Sequence, residues 1–119
     1  MIEASCHCGN VKLEITESIE AVTSCNCSVC SRYGALWGYF ASKNVNVNSV
    51  SDTGKYCWGD KSIEFHHCQN CGCVTHYTPV EVSDNSKMAV NFNMVNSSIL
   101  NGLKVRHFDG ADTWKYIGE

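Results

Sequence analysis

The stretch Cys25-Asn26-Cys27-Ser28-Val29-Cys30 places three thiols within six residues. They cannot satisfy one another as disulfides without severe strain, because a bridge needs Cα atoms about 4.4–6.8 Å apart and suitably aimed Cβ vectors. They can converge on one metal ion, with each thiolate sulfur about 2.3 Å from Zn²⁺. Three ligands leave the fourth tetrahedral position undecided. A further protein ligand there makes the site structural, whereas a water or a substrate thiol makes it reactive.

Working outward, the residues on either side of the triplet read as strands. Ile19 to Cys25 delivers the triplet at its end, and Trp37 to Ala41 returns as an aromatic-rich strand after a turn or single helical turn at Ser31-Arg32-Tyr33-Gly34. Upstream, Val11, Leu13 and Ile15 alternate with Lys12, Glu14 and Thr16, the period of a half-buried strand. Asn44 to Thr53 is polar and reads as an edge strand or a loop. Tyr56-Cys57-Trp58, Gly59-Asp60-Lys61 and Ile63-Glu64-Phe65 form a predicted hairpin. Val74 to Tyr77, Met88 to Phe92 and Val105 to Phe108 are further strands, with Pro79 expected to stop pairing and Ser97 to Leu100 as a short helix. No heptad, repeat or internal linker interrupts this pattern. Residues 1–119 are therefore expected to form one all-β domain of short strands.

Composition narrows the class. Nine cysteines in 119 residues is the level at which a disulfide scaffold or a metal protein is suspected. Their odd number and ligand-like spacings favour metal. The opening Met1-Ile2-Glu3-Ala4-Ser5 has no basic and apolar leader pattern, so a reducing, cytoplasmic setting is expected. No run approaches the ~18 apolar residues of a membrane helix, so no membrane partner is expected. Nine Lys+Arg against twelve Asp+Glu give a formal charge of −3. The basic residues are scattered from Lys12 to Lys115 without a patch, which argues against a nucleic-acid partner.

Two metal sets emerge. Cys6 and Cys8, followed by Gly9, combine with Cys68 and Cys71, followed by Gly72, as a four-cysteine set. Glycine after each pair permits the left-handed turn that aims both sulfurs at one point. This set is expected to be closed and structural, tying together chain segments about 60 residues apart. His7, between two ligands, is expected to be exposed. Cys25, Cys27 and Cys30 form the second set, for which Cys73, then His66, His67 or His76, are the protein candidates for a fourth ligand. Cys57 is read as a buried small hydrophobe. A zinc ion held by three thiolates carries net −1 and suits the capture and deprotonation of a thiol better than the activation of water. Beside an aldehyde or hemithioacetal, such a thiolate can make or break a C–S bond. Most aromatic residues are expected in the core, with one or two lining a pocket. Arg32 is read as a solvated loop arginine, with a substrate carboxylate as its other use. No residue stands out as a general acid or base.

The order of these motifs resembles the glutathione-dependent formaldehyde-activating enzyme family, which also includes centromere protein V. The residues that carry the resemblance are Cys6-His7-Cys8-Gly9, Cys25-Asn26-Cys27-Ser28-Val29-Cys30, Cys68-Gln69-Asn70-Cys71-Gly72 and the tail from Val105 to Trp114. The resemblance implies a tent-like zinc-binding β fold of short antiparallel strands with two zinc ions per chain. Cys6, Cys8, Cys68 and Cys71 would hold the structural ion. Cys25, Cys27 and Cys30 would hold an ion whose fourth position is open to water or thiol. It further implies a carbon–sulfur lyase that joins formaldehyde to glutathione as S-hydroxymethylglutathione, or the reverse, with a small thiol and an aldehyde as partners. The competing expectation is a non-catalytic zinc module that binds a protein partner. The sequence does not set the oligomeric state.

Overall fold

The computed structural model describes residues 1–59 and 61–119. In chain order its elements are β1 (Ile2–Ser5), β2 (Val11–Ile15), β3 (Ala21–Cys25), α1 (Ser28–Tyr33), β4 (Trp37–Ala41) and β5 (Val45–Ser49). They continue with β6 (Gly54–Tyr56), β7 (Ile63–His67), β8 (Val74–Pro79), β9 (Lys87–Asn91), α2 (Ser97–Leu100) and β10 (Lys104–Phe108). The chain is mostly β, built from short strands as expected.

Alternation decides how these strands divide. Val11, Leu13 and Ile15 are fully buried while Lys12 points to solvent, so β2 forms the centre of a three-stranded antiparallel sheet between β1 and β5. The polar stretch after Asn44 is thus an edge strand, mostly exposed along β5. The second sheet runs β10-β3-β4-β9-β8-β7-β6. Its strands are antiparallel except for β10, which lies parallel to β3 with Lys104 opposite Ala21 and Phe108 opposite Cys25. The expectation of antiparallel strands fails at this edge because β10 is reached through the connection carrying α2. Only a hairpin would force the opposite direction.

Successive side chains of a strand point to opposite faces, and both faces of the larger sheet are used. Val22, Phe40, Met88 and Val90 pack with Val11, Leu13 and Ile15 in a core between the two sheets. The opposite face carries a second cluster of Cys30, Ala35, Trp37, Phe65 and Ala89, with Tyr77 against it. The hairpin of β6 and β7 forms as predicted, with Tyr56 opposite Phe65. Asp60, in its predicted turn, lies outside the described residues. Cys57 follows β6 rather than lying in a strand and is half-buried, so it is not the buried hydrophobe expected from its aromatic neighbours. β8 ends at Pro79, which still aligns with Ile63. Pairing runs one residue further, where the Val80 N–H donates to the Ser62 carbonyl at 2.9 Å.

His66 and His76 are cross-strand partners on β7 and β8, their rings stacked at 4.3 Å. His76 is 2% exposed, and its Nδ1 lies 2.7 Å from the buried Thr75 hydroxyl. Burial, aided by the neighbouring His66, pushes the His76 pKa down to about 3 from an ordinary 6.5. The folded chain therefore resists a proton that the unfolded chain accepts. The resulting stability is complete above pH 6.5 and is lost as the pH falls towards 3. Between pH 7 and pH 5 this group should cost about 2 kcal/mol. Urea unfolding of the parent and of His76→Gln at both pH values checks this. The parent should lose more stability on acidification, and equal losses would exclude His76 as the source.

Candidate metal and thiol site

The two cysteine sets predicted from spacing each converge. The Sγ atoms of Cys6, Cys8, Cys68 and Cys71 all lie within 4.8 Å of one another, and so do those of Cys25, Cys27 and Cys30. Thiolates about 2.3 Å from a tetrahedral ion stand about 3.8 Å apart. In the first set Cys6 and Cys8 are separated by 3.7 Å and Cys8 and Cys68 by 3.6 Å, which fits that geometry. Both sets could hold a metal ion.

Local backbone geometry explains the convergence of the first set. Gly9 and Gly72, each one residue past a cysteine pair, have φ of 84° and 81°, where a side chain would be strained. Each turn also aims N–H groups at the first sulfur of its pair. Val11 N–H donates to Cys6 Sγ at 3.2 Å, and the Asn70 and Cys71 N–H groups donate to Cys68 Sγ at 3.4 Å. The Asn10 side-chain amide adds a further donor to Cys68 across the chain, at 3.4 Å. N–H bonds from Cys73 and Cys8 hold the Cys71 thiol down to about 5. Burial raises the Cys6 thiol to about 11. His7 is exposed and is not among the converging groups.

The second set is delivered by different means. Cys25 ends β3, and Cys27 is the N-cap of α1, its sulfur accepting the Cys30 N–H at 3.4 Å. Cys30 is the buried residue of that helix, and Gly34 closes the helix in the left-handed conformation. The Trp37 indole N–H donates to Cys30 Sγ at 3.4 Å. Burial, reinforced by Cys27, raises the Cys30 thiol well above its ordinary range, and burial likewise raises Cys25. Cys27 is half-buried, which opposes ionisation, but the S–H and N–H of Cys30 outweigh that and lower it. Three sulfurs within 4.8 Å of one another, with donors aimed at Cys27 and Cys30, are a donor set suited to a cation.

None of the protein candidates for a fourth ligand reaches this set. Cys73 instead stands beside the first set, where the His7 N–H donates to its sulfur and the charges of Cys71 and Cys68 act on it. The knuckle turn puts it there, since Cys68 N–H bonds the Cys73 carbonyl at 2.9 Å. His66 bonds the hydroxyls of Thr53 and Thr78, each at 2.8 Å, and alternation puts it with His76 on the sheet face away from Trp37. His67 packs its ring over Gly54. Among the described residues, no further Cys, His, Asp or Glu joins Cys25, Cys27 and Cys30.

The three sulfurs line a cavity of about 460 Å³. Its walls contain seven of the chain's aromatic side chains, Trp37, Tyr39, Trp58, Phe65, Tyr77, Phe108 and Trp114, many more than the one or two expected. Phe40 and Phe92 instead stack in the inter-sheet core. Arg32 does not line this cavity; it is exposed on α1, where its Nη1 donates to the Ser28 carbonyl at 2.9 Å.

One wall comes from the far end of the chain, and the sequence reading missed what holds it. Asn26, between two of the cysteines, donates from Nδ2 to Asp109 Oδ1 at 3.0 Å and accepts the Ala111 N–H on Oδ1 at 3.0 Å. Asp109 Oδ2 in turn accepts from the Thr113 N–H and hydroxyl. The loop thus held brings Gly110 against the site, where a Cβ would stand 2.6 Å from Cys25 Sγ. Trp114 ends the loop with a φ of 61°, unusual for a residue with a side chain. No local pattern announces a contact spanning more than eighty residues.

With this geometry in view, comparison with known proteins decides the kinship. The model of the family described as glutathione-dependent formaldehyde-activating enzyme matches residues 1–107. The chain belongs to that family. A Rhodobacter sphaeroides protein of known crystal structure shares the fold with a TM-score of 0.69 and 24% identity, over 87% of this chain and 99% of that one. No curated protein sequence matches the chain. In this family member, the residues matched include both cysteine sets, while Phe108, Gly110 and Trp114 of the cavity wall follow them.

Proposed function

We propose that the chain is a zinc-dependent carbon–sulfur lyase acting on a thiol–aldehyde adduct of the S-hydroxymethylglutathione type. In this reading Cys6, Cys8, Cys68 and Cys71 hold a structural zinc ion. Cys25, Cys27 and Cys30 hold a second one at the reacting centre. The observation that carries the reading is the convergence of three thiols in an aromatic cavity where no fourth described Cys, His, Asp or Glu reaches them. A zinc ion held there would supply positive charge that favours the thiolate form of an incoming thiol.

The chain's own residues provide the rest. Trp37 steadies Cys30 through its indole N–H, and the aromatic walls give the centre a largely apolar surround. Tyr39 and Tyr77 both line the cavity, and burial raises the pKa of each, that of Tyr77 to about 12. Both phenols are therefore protonated at neutral pH; Tyr39 donates to Tyr77, which leaves the Tyr77 hydroxyl to donate to a carbonyl or hydroxyl oxygen. In the forward direction the S–C bond forms, the C=O π bond opens and the thiol proton ends on that oxygen. Cleavage of the adduct reverses each change, with no net oxidation. Free cysteines in metal-ligand spacings support a reducing, cytoplasmic setting.

Native mass spectrometry of the zinc-loaded protein, with and without millimolar glutathione, tests this reading. The parent should carry two zinc ions and take up one thiol. Cys27→Ser should stay folded, lose one zinc ion and lose the thiol adduct. Two zinc ions with no adduct from any small thiol would mean a closed second site and favour a non-catalytic module that binds a protein partner. An unfolded Cys27→Ser would make the second site structural as well.

A further inference from the structure

We infer that the thiol taken by this site carries an uncharged, ring-sized apolar group next to its sulfur, in place of the charged peptide arms of glutathione. The inference rests on the lyase reading above and narrows its substrate class. Of the described residues lining the cavity, none is Asp, Glu, Lys, Arg or His. The polar side-chain groups there are the thiols themselves, Ser62, the two phenols and the indole N–H groups of Trp37, Trp58 and Trp114, all of them uncharged apart from the thiols. A site of three thiolates and a divalent cation is itself net negative. A carboxylate drawn into it meets like charge between low-dielectric walls, with no described lining cation to offset the loss of its water.

Glutathione carries two carboxylates and an ammonium group. Arg32, two residues after Cys30, is the cation the sequence offers to meet one of them. It borders an adjoining groove with Tyr33, Tyr56 and Trp58 rather than the cavity, and its guanidinium is engaged by the Ser28 carbonyl. An apolar ring fares differently. Phe65 and Tyr77 form the inner wall, their rings edge-on to one another at 5.4 Å. Trp58 and Trp114 also line the cavity, and they are 39% and 70% exposed, large apolar surfaces left to water in the free protein. A ring seated between these pairs removes apolar surface of both partners from water. The tail wall is braced to receive it: Phe108 packs edge-on to Trp114 at 5.1 Å, and the Asn26–Asp109 bond holds the intervening loop. The covalent step is unchanged: the S–C bond forms and the thiol proton passes to the aldehyde oxygen.

The test compares phenylmethanethiol with glutathione on the zinc-loaded protein, by tryptophan fluorescence titration and by counting adducts in native mass spectra. Phenylmethanethiol should half-saturate the site at a concentration at least tenfold below that of glutathione. In adduct counting, Trp114→Ala should narrow that gap at least threefold, by weakening the aromatic thiol more than glutathione. Glutathione binding as tightly as phenylmethanethiol, or tighter, would overturn the inference and leave the lyase reading standing. Undiminished phenylmethanethiol binding to Cys27→Ser would place the ring away from the metal site and also overturn it. If neither thiol adds to the parent, the lyase reading falls, and the inference falls with it.

Discussion

Replacing Cys68 with serine should abolish cooperative folding. Cys68 is 0% exposed and belongs to the inter-sheet core, while its sulfur stands 3.6 Å from Cys8 Sγ across sixty residues of chain. Three donors converge on it, from Asn10, Asn70 and Cys71. Serine offers a harder, less readily ionised oxygen to a soft site and shortens the reach to the ion. A structural zinc site contributes on the order of 10 kcal/mol, comparable to the whole stability of a typical domain, about 5–15 kcal/mol. On the proposed assignment, loss of a zinc ion there would release the knuckle after β7 from the turn after β1 and open the edge of the core where they meet. Circular dichroism melts and zinc counts on the purified variant check this. A soluble Cys68→Ser protein with one zinc ion and a cooperative melt near that of the parent would show that the first set is dispensable for folding.

Gly110→Ala should disable the second site while sparing the first. The added Cβ would lie 2.6 Å from Cys25 Sγ and 3.4 Å from Cys27 Cβ, closer to the sulfur than contact allows. Neither side yields easily. Cys25 is fixed at the end of β3 and paired with Phe108, and the loop around Gly110 is tied down by Asn26, Asp109 and Thr113. Overpacking of this kind typically costs about 1–3 kcal/mol. Directed at the metal ligand, that amounts to roughly a 5- to 150-fold loss of zinc affinity at the second site. Competition with a chromophoric chelator would resolve two classes of zinc in the parent and a weakened second class in the variant. Unchanged affinity in both classes would mean that the loop moves away freely, and that the tail wall is not held as its hydrogen bonds indicate.

Much of this was legible in the sequence because its causes are local. Alternation of Val11, Leu13 and Ile15 with polar neighbours defines a half-buried strand wherever that strand is placed. The two glycine-closed cysteine pairs carry their turn geometry in the backbone preference of Gly9 and Gly72. The triplet from Cys25 to Cys30 brings its sulfurs together through one strand end and one helical turn. What local reasoning could not decide was direction and side. Cys73 lies two residues beyond Cys71, yet its place beside the first set follows from how the knuckle closes. His66 and His76 flank the knuckle in sequence and lie behind the sheet, away from the second set, in space.

By itself, then, the sequence determined an all-β chain with two cysteine sets able to gather around metal ions, because strand periodicity and ligand spacing act over a few residues. The tertiary structure alone decided the surroundings of the second set. It packed aromatic side chains from strands across the larger sheet onto one face, and it ran β10 parallel to β3 so that the residues after Phe108 return to Cys25. Those are contacts between segments distant in sequence, whose energies depend on which surfaces the fold brings together and on no short-range pattern that could be read in advance.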